Sequence, residues 1–291
     1  MVHYVLIIDF SGLKTIENST DKMPAIGLGT WKIGGDFIPN HSKDAEWVEA
    51  LKYGIEYSIE KIGLAMIDTA ELYGAGHSEE LVGKAIDGLP RENIFLVTKV
   101  KSENLAYNRV IKAAKASLER LRTKYIDLYL VHWPNPRISI SETMKAMERL
   151  YSEGLIRYVG VSNFDVPLIE KARNALSVTD IVVNQVKYNL IHRDIEKDVL
   201  PYCQKEGIIV MAYTPLEHGE ILHLEPIRRL AKRYLKTPAQ IALNWLISKP
   251  LVVAVPKAEK KEHIRENIDS MGWRLNKEDI EFLDKHFSTK Q

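Results

Sequence analysis

The chain has 291 residues, 45% of them hydrophobic and 27% charged, which suits one large soluble domain with a sizeable core. Lys and Arg total 40 against 39 Asp and Glu, so neither a nucleic-acid face nor an anionic-membrane surface is expected. Cys203 is the only cysteine, so no internal disulfide forms, and the reducing cytoplasm is the expected compartment. No apolar run reaches the roughly 20 residues of a membrane span. The opening "MVHYVLIIDF" has a short apolar run, no basic flank and an acid at Asp9, so it does not read as a secretion signal. Residues 1–13 read as an extra N-terminal segment. Residues 14–24, with turn residues at Asn18 and Asp21, read as a β-hairpin closing the bottom of a barrel.

From there, short β-rich apolar runs recur as "AIGLGT", "LAMIDT", "NIFLVTK", "IDLYLVH", "RYVGVSN", "DIVVNQ", "GIIVMAY" and "LVVAVPK". Helix-like stretches such as "SEELVGKAIDGL", "NRVIKAAKASLERLR", "ISETMKAMERLYSEG" and "TPAQIALNWLISK" lie between them, several opening on a Ser, Thr or Asn cap and two closing on Gly. Continuously apolar strands are buried on both faces, which means a parallel sheet covered by helices. Eight such units in this length predict a (β/α)8 TIM barrel as a single domain over 1–291, with a doubly wound open sheet as the alternative. The last helix, "NKEDIEFLDKHF", is expected outside the barrel.

The residues at the C-terminal strand ends are Asp68, Lys99, His132, Asn163, Gln185, Tyr213 and Lys257. A polar residue there often marks no more than the chain emerging into water, and a lone histidine is more often structural. An acid, a lysine and a histidine on three adjacent strands are harder to dismiss, because in a TIM barrel those ends share one mouth. Tyr73 follows on the loop after Asp68, with glycines for the turn and then a helix expected to be capped by His77 or Ser78. A tyrosine hydroxyl has an ordinary pKa near 10. A lysine charge about 4 Å away contributes roughly 4 kcal/mol at an effective dielectric of 20, enough to lower that value by about 3 units. Lys99 is thus expected to make Tyr73 a proton donor, Asp68 to hold Lys99, and His132 to share the proton or bind the substrate oxygen.

Together, "GLGTWK", "IDTAELYG", "VTK", "LVHWP", "GVSNF", "VNQVKYN" and "VAVPKA" resemble the aldo-keto reductases, in order and spacing, from about Lys14 to the end. The resemblance implies a barrel that binds an extended NADPH, with NADH use left open, and reduces aldehydes or ketones. It implies a catalytic tetrad of Asp68, Tyr73, Lys99 and His132. It places Gly29 and Thr30 near the nicotinamide, Asp68 beside them, and Ser162, Asn163 and Gln185 on the carboxamide. Tyr213 is implied to stack on the nicotinamide, and Thr214, Pro215 and Leu216 to follow the pyrophosphate. Lys257 is implied at the 2′-phosphate, Glu266 and Asn267 near adenine, and Trp31 and Trp133 as substrate walls. Two departures occur: Ala258 stands where many members carry Ser or Thr, and His263 where many carry Arg; Lys260, Lys261 and Arg265 are candidates to compensate, although Lys260 and Lys261 read equally as a solvated helix start and Lys257, at a strand end, is the stronger candidate. The short C-terminal tail implies a more open pocket.

Other signals carry less. "GLGT" does not continue into a dinucleotide fingerprint, and there is no P-loop, HExxH or CxxC. Glu217, His218, Glu220, His223 and Glu225 have metal-like spacing, but a lid over the cofactor is expected there and no metal is predicted. An NADPH-binding sensor or regulatory subunit with the same fold is the alternative function, and a cofactor-free barrel isomerase a third; the full tetrad favours the reductase. The expected partner is a small carbonyl substrate, and the expected assembly a monomer or weak oligomer.

Overall fold

The computed structural model describes residues 12–17 and 19–288. The expected N-terminal segment therefore lies outside the described residues as far as position 11, and so does Asn18 at the hairpin turn. Strands β1 (Leu13–Thr15) and β2 (Lys22–Pro24) form the antiparallel hairpin, with Lys14 opposite Met23.

The chain then alternates through β3 (Leu28–Gly29), α1 (Asp44–Ile62), β4 (Ala65–Asp68), α2 (His77–Ile86), β5 (Ile94–Val100), α3 (Tyr107–Arg120) and β6 (Ile126–Val131). It continues through α4 (Ile140–Ser152), β7 (Ile156–Ser162), α5 (Val166–Arg173), β8 (Ile181–Lys187), α6 (Val199–Lys205) and β9 (Ile209–Tyr213). Helices α7 (Glu225–Tyr234) and α8 (Pro238–Ser248) precede β10 (Val252–Ala254), and α9 (Lys261–Ile268) and α10 (Lys277–His286) follow it. Strands β3 to β10 pair in parallel in sequence order. The ends of that sheet meet through parallel bridges Ile26–Ala254 and Gly29–Lys257, so the sheet closes into the expected eight-stranded barrel. Gly29 is required at this seam, because a Cβ there would lie 2.6 Å from the Val255 carbonyl oxygen.

The cap signals divide. Thr237 and Gln240 form a reciprocal capping box on α8, and Asn276 caps α10 through the Asp279 amide. Gly154 closes α4 with a left-handed φ of 70°, whereas α2 ends at an extended Asp87 and Gly88, φ 78°, lies in the turn beyond it. Helix α2 instead starts from Gly76 with no side-chain cap, contrary to the expectation for His77 or Ser78. Those two side chains are committed elsewhere: Ser78 Oγ donates to Thr30, and His77 pairs with Asp44 and Glu80.

Two apolar layers hold the barrel. Alternate strand residues face the interior, where Met66, Phe95, Val97, Leu128, Leu130, Val183, Ile209, Met211, Val253 and Val255 pack together. Ile16 and Met23 from the hairpin join that interior cluster, which makes the hairpin the floor of the barrel. The other strand faces pack against the helices, as with Ile67, Leu96, Tyr129 and Val161.

Candidate active site

The same period of two that builds the interior also positions the site. Asp68 follows Met66 by two residues, Lys99 follows Val97, His132 follows Leu130, Gln185 follows Val183, Tyr213 follows Met211 and Lys257 follows Val255. Each is thus the next inward position above the apolar filling, at the C-terminal mouth.

Lys99 is fully buried, and Asp68 is nearly so. The Lys99 Nζ lies 2.8 Å from the Asp68 carboxylate, 2.9 Å from the Thr69 carbonyl oxygen and 3.4 Å from the Tyr73 hydroxyl. Burial opposes the Lys99 charge, yet Asp68 and Tyr73 outweigh it and hold the ammonium above its ordinary value. The Tyr73 ring meets His132 edge-on, with centroids 5.7 Å apart. The four residues implied as a tetrad are therefore together.

The hydroxyl of Tyr73 does not follow the expectation of a lowered pKa. Burial raises it, the Lys99 charge lowers it, the Asp68 charge raises it, and the net direction is upward. Asp68 lies against the same ammonium and cancels much of its effect, so the proton is held on Tyr73. His132 is pushed down to about 3 by burial and then by Lys99, so its ring is neutral at physiological pH. Its Nδ1 is buried without a hydrogen-bond partner among the described residues. A neutral imidazole carries one N–H, which it can offer to a substrate oxygen, one of the two roles expected of it.

Gln185 is expected beside the carboxamide, but its amide nitrogen donates to Asp68 Oδ1 at 2.8 Å and meets Met211 Sδ at 2.8 Å. This contact crosses the mouth from β8 to β4. Asn163, at φ 63°, donates to the His132 carbonyl at 3.1 Å and to Ser162 Oγ at 3.0 Å, and accepts from the Tyr213 hydroxyl at 2.9 Å. Tyr213 is thereby fixed with its ring along the cavity.

Asp68, Tyr73, His132, Asn163 and Tyr213 line a cavity of about 680 Å3, which extends to Lys257, Ala258, His263, Glu266 and Asn267, with Lys99 buried behind them. That volume lies within the usual range for ligand sites. Gly29, Ser162, Gln185, Thr214, Pro215 and Leu216 also line it, whereas Thr30 stands behind the wall, fully buried and accepting from Ser78. Trp31 and Trp133 line the opening at 37% and 49% exposure, so neither is a core tryptophan. Phe37, Leu72 and Leu222 line it too, and sequence reading missed them because they sit on loops or, for Leu222, in a short 3-10 turn, none with a periodic pattern.

The segment 214–223, where a lid is expected, lines the cavity through Thr214, Pro215, Leu216, His218, Gly219 and Leu222. Glu217 anchors it, with carboxylate oxygens 2.8 Å from Lys187 Nζ and 2.6 Å from Asn189 Nδ2. His218 reaches Trp31 across the cavity, ring centroids 5.7 Å apart. Thr214, Glu217 and His218 all hold left-handed φ, a conformation non-glycine residues adopt only under constraint.

Lys257 pairs with Glu259, and Lys43 lies 3.8 Å from the same carboxylate. Lys261 pairs with Glu49 of α1, and Arg265 lies over Tyr57 and 3.6 Å from Asp269. None of Lys260, Lys261 and Arg265 is among the residues that line the cavity. Cys203 is buried with its thiol pushed up to about 12 by burial, which leaves it unreactive.

The model of the Aldo/keto reductase family matches residues 25–287. The chain is 39% identical to the methylglyoxal reductase YeaE of Escherichia coli K12 over 280 residues, covering 94% of this chain and 95% of that one. Among solved structures, it is similar to the thermostable aldo-keto reductase Tm1743 in complex with the inhibitor epalrestat. That likeness has a TM-score of 0.88 and 45% identity, covering 94% of this chain and 98% of that one. An aldo/keto reductase from Klebsiella pneumoniae in complex with NADP and acetate gives a TM-score of 0.83 at 39% identity, with 93% of each chain covered.

Proposed function

The chain belongs to the aldo/keto reductase family, and from that premise we propose that it reduces small aldehydes and ketones to alcohols with NADPH, Tyr73 being the proton donor. The observation that carries this reading is the Lys99 ammonium, bridging Asp68 and the Tyr73 hydroxyl beside His132 at the cavity mouth. NADPH, when bound, supplies the hydride that reaches the carbonyl carbon.

Every other part of the reaction falls to the chain's own residues. Tyr73, held protonated, gives its proton to the carbonyl oxygen, and the buried Lys99 charge steadies the phenolate left behind. His132, neutral, donates one hydrogen bond to the same oxygen and orients it. Asp68 keeps Lys99 charged and pointed at Tyr73, and Gln185 keeps Asp68 in place. Trp31, Trp133 and Phe37 shape an apolar entrance that limits water around the reacting atoms.

For the cofactor, Ser162 and Asn163 would hold the carboxamide, the Tyr213 ring would face the nicotinamide, and the lid 214–223 would cover the pyrophosphate. Lys257 would meet the 2′-phosphate, and Glu266 and Asn267 would flank the adenine. The donors fit such a group along the whole cavity, with one weak point: Glu259 already neutralises Lys257. The preference for NADPH over NADH is therefore modest. The substrate class we favour is the small 2-oxoaldehydes, supported by the methylglyoxal reductase relative and by a pocket whose entrance is aromatic. We place the protein in the cytoplasm, a reading supported by its lone, buried cysteine. The test is consumption of NADPH and of NADH with methylglyoxal, simple aldehydes and ketones. Tight NADPH binding with no turnover on any carbonyl would refute the reductase reading and leave a cofactor sensor.

A further inference from the structure

One cluster of ligand-type side chains takes no part in that reaction. His41, Asp44 and His77 each bring one donor atom within 4.8 Å of the other two. His41 lies at the end of the β3–α1 loop, Asp44 opens α1, and His77 opens α2 directly after the turn that carries Tyr73. The imidazole centroids of His41 and His77 are 4.0 Å apart.

The hydrogen bonds give each ring a direction. His77 is buried, and its Nδ1 lies 2.8 Å from Glu80 Oε2, which leaves Nε2 facing Asp44 Oδ1 at 2.8 Å. His41 Nδ1 approaches the other Asp44 oxygen at 3.3 Å. A carboxylate that holds one nitrogen of a buried histidine, while the other nitrogen converges on a second imidazole and a second carboxylate, is the usual outer support of a metal-ligating histidine. One divalent ion would take a lone pair from each ring and offset both carboxylates. The exposed His41 side leaves room for water to complete four-coordination. The acids and histidines of 217–225, by contrast, do not converge: Glu217 is spent on Lys187 and Asn189.

We propose that His41, Asp44 and His77 form a binding site for a divalent transition-metal ion of the zinc type, with Glu80 orienting His77. Two imidazoles and one carboxylate suit zinc, cobalt or nickel better than calcium or magnesium. The site joins two segments that already touch. Gly74 donates its N–H to the Asp36 carbonyl at 2.7 Å, and a Cβ on Gly74 would come within 2.3 Å of the Gly34 carbonyl oxygen. A bound ion would clamp the loop bearing Trp31 and Phe37 against the turn bearing Tyr73, without touching the reacting atoms.

The experiment titrates zinc and cobalt into chelator-treated, tag-free protein, with calorimetry, the cobalt visible spectrum and the thermal midpoint as readouts. One ion per chain, bound in the micromolar range or tighter, is expected, with histidine-type cobalt bands and a midpoint raised by saturating zinc. His41→Ala changes an exposed residue and Asp44→Asn keeps its shape, and each is expected to weaken binding at least about tenfold while the circular dichroism stays native. His218→Ala and His223→Ala, in the other histidine-bearing segment, are expected to bind as wild type. No binding up to millimolar zinc, or equal binding in His41→Ala and Asp44→Asn, would overturn the site and leave the cluster an ion-paired clip.

Discussion

At the mouth bounded by β4, β5 and β8, Asp68, Lys99 and Gln185 are buried and bonded to one another, whereas at the end formed by β10 and α9 the Lys257–Glu259 pair stands about one-third exposed. Both ends place charged side chains against the same cavity. At the first, removing one partner strands a charge out of water, and the cost is large. At the second, water and salt screen whatever is left. The chemistry is thus expected to be sensitive to single substitutions, and the cofactor preference to be tunable.

The largest expected effect tests the buried end directly. Tyr73→Phe removes the proton donor and no cofactor contact, so turnover should fall by at least about 100-fold with NADPH affinity nearly unchanged, as measured by steady-state rates and fluorescence titration. Wild-type turnover in that variant would end the proposed mechanism. Lys99→Met leaves the Asp68 carboxylate buried with Gln185 alone, and should cost about 3–5 kcal/mol of stability as well as most of the activity. Asp68→Asn should do both more mildly, because Lys99 keeps the Thr69 carbonyl and Tyr73 as partners. Equal and small losses in the two variants would mean that the buried end behaves like the exposed one.

A pH series probes the same contrast. In the unfolded chain a histidine gains a proton below its ordinary value of 6.5, whereas folded His132 stays neutral down to about 3. The stability tied to His132 is therefore complete above about pH 6.5 and is lost as pH falls toward 3, by about 1.4 kcal/mol per pH unit. Between about pH 7 and pH 5 the difference is about 2 kcal/mol. Denaturant unfolding of wild type and His132→Gln at both values should show that extra loss in wild type only.

The smallest effects belong to the exposed end. Lys257→Ala should weaken NADPH by about tenfold and leave NADH unchanged, since a charge-assisted contact to the 2′-phosphate is shared with Glu259. Glu259→Gln should move the other way, tightening NADPH a few-fold by removing a like charge beside the phosphate. Equal shifts for both cofactors would move Lys257 and Glu259 away from the 2′-phosphate.

Much of the barrel and of its catalytic mouth is legible in the order of residues. Eight apolar runs with helices between them are a local property, and so is the rule that the residue two beyond an interior side chain faces the same way. That rule, with the motifs around Asp68, Tyr73, Lys99 and His132, places the polar ring at the mouth. The cavity-lining segment after β9 can be located because its residues follow Tyr213 in the chain, although the spacing of its anchor Glu217 also suits a metal ligand.

The order of elements, and the face that each strand residue takes, follow from the amino-acid sequence alone, because both rest on backbone geometry within a few neighbours. Closure of the barrel settles which side chains meet. Gln185 reaches Asp68 across 117 positions of chain, Arg265 and Lys261 turn to α1 rather than to the cavity, and His41 comes to lie against His77. The direction of the Tyr73 shift has the same origin. It depends on burial and on Asp68 cancelling Lys99, and both are sums over distances that exist only after strands remote in sequence have been brought side by side.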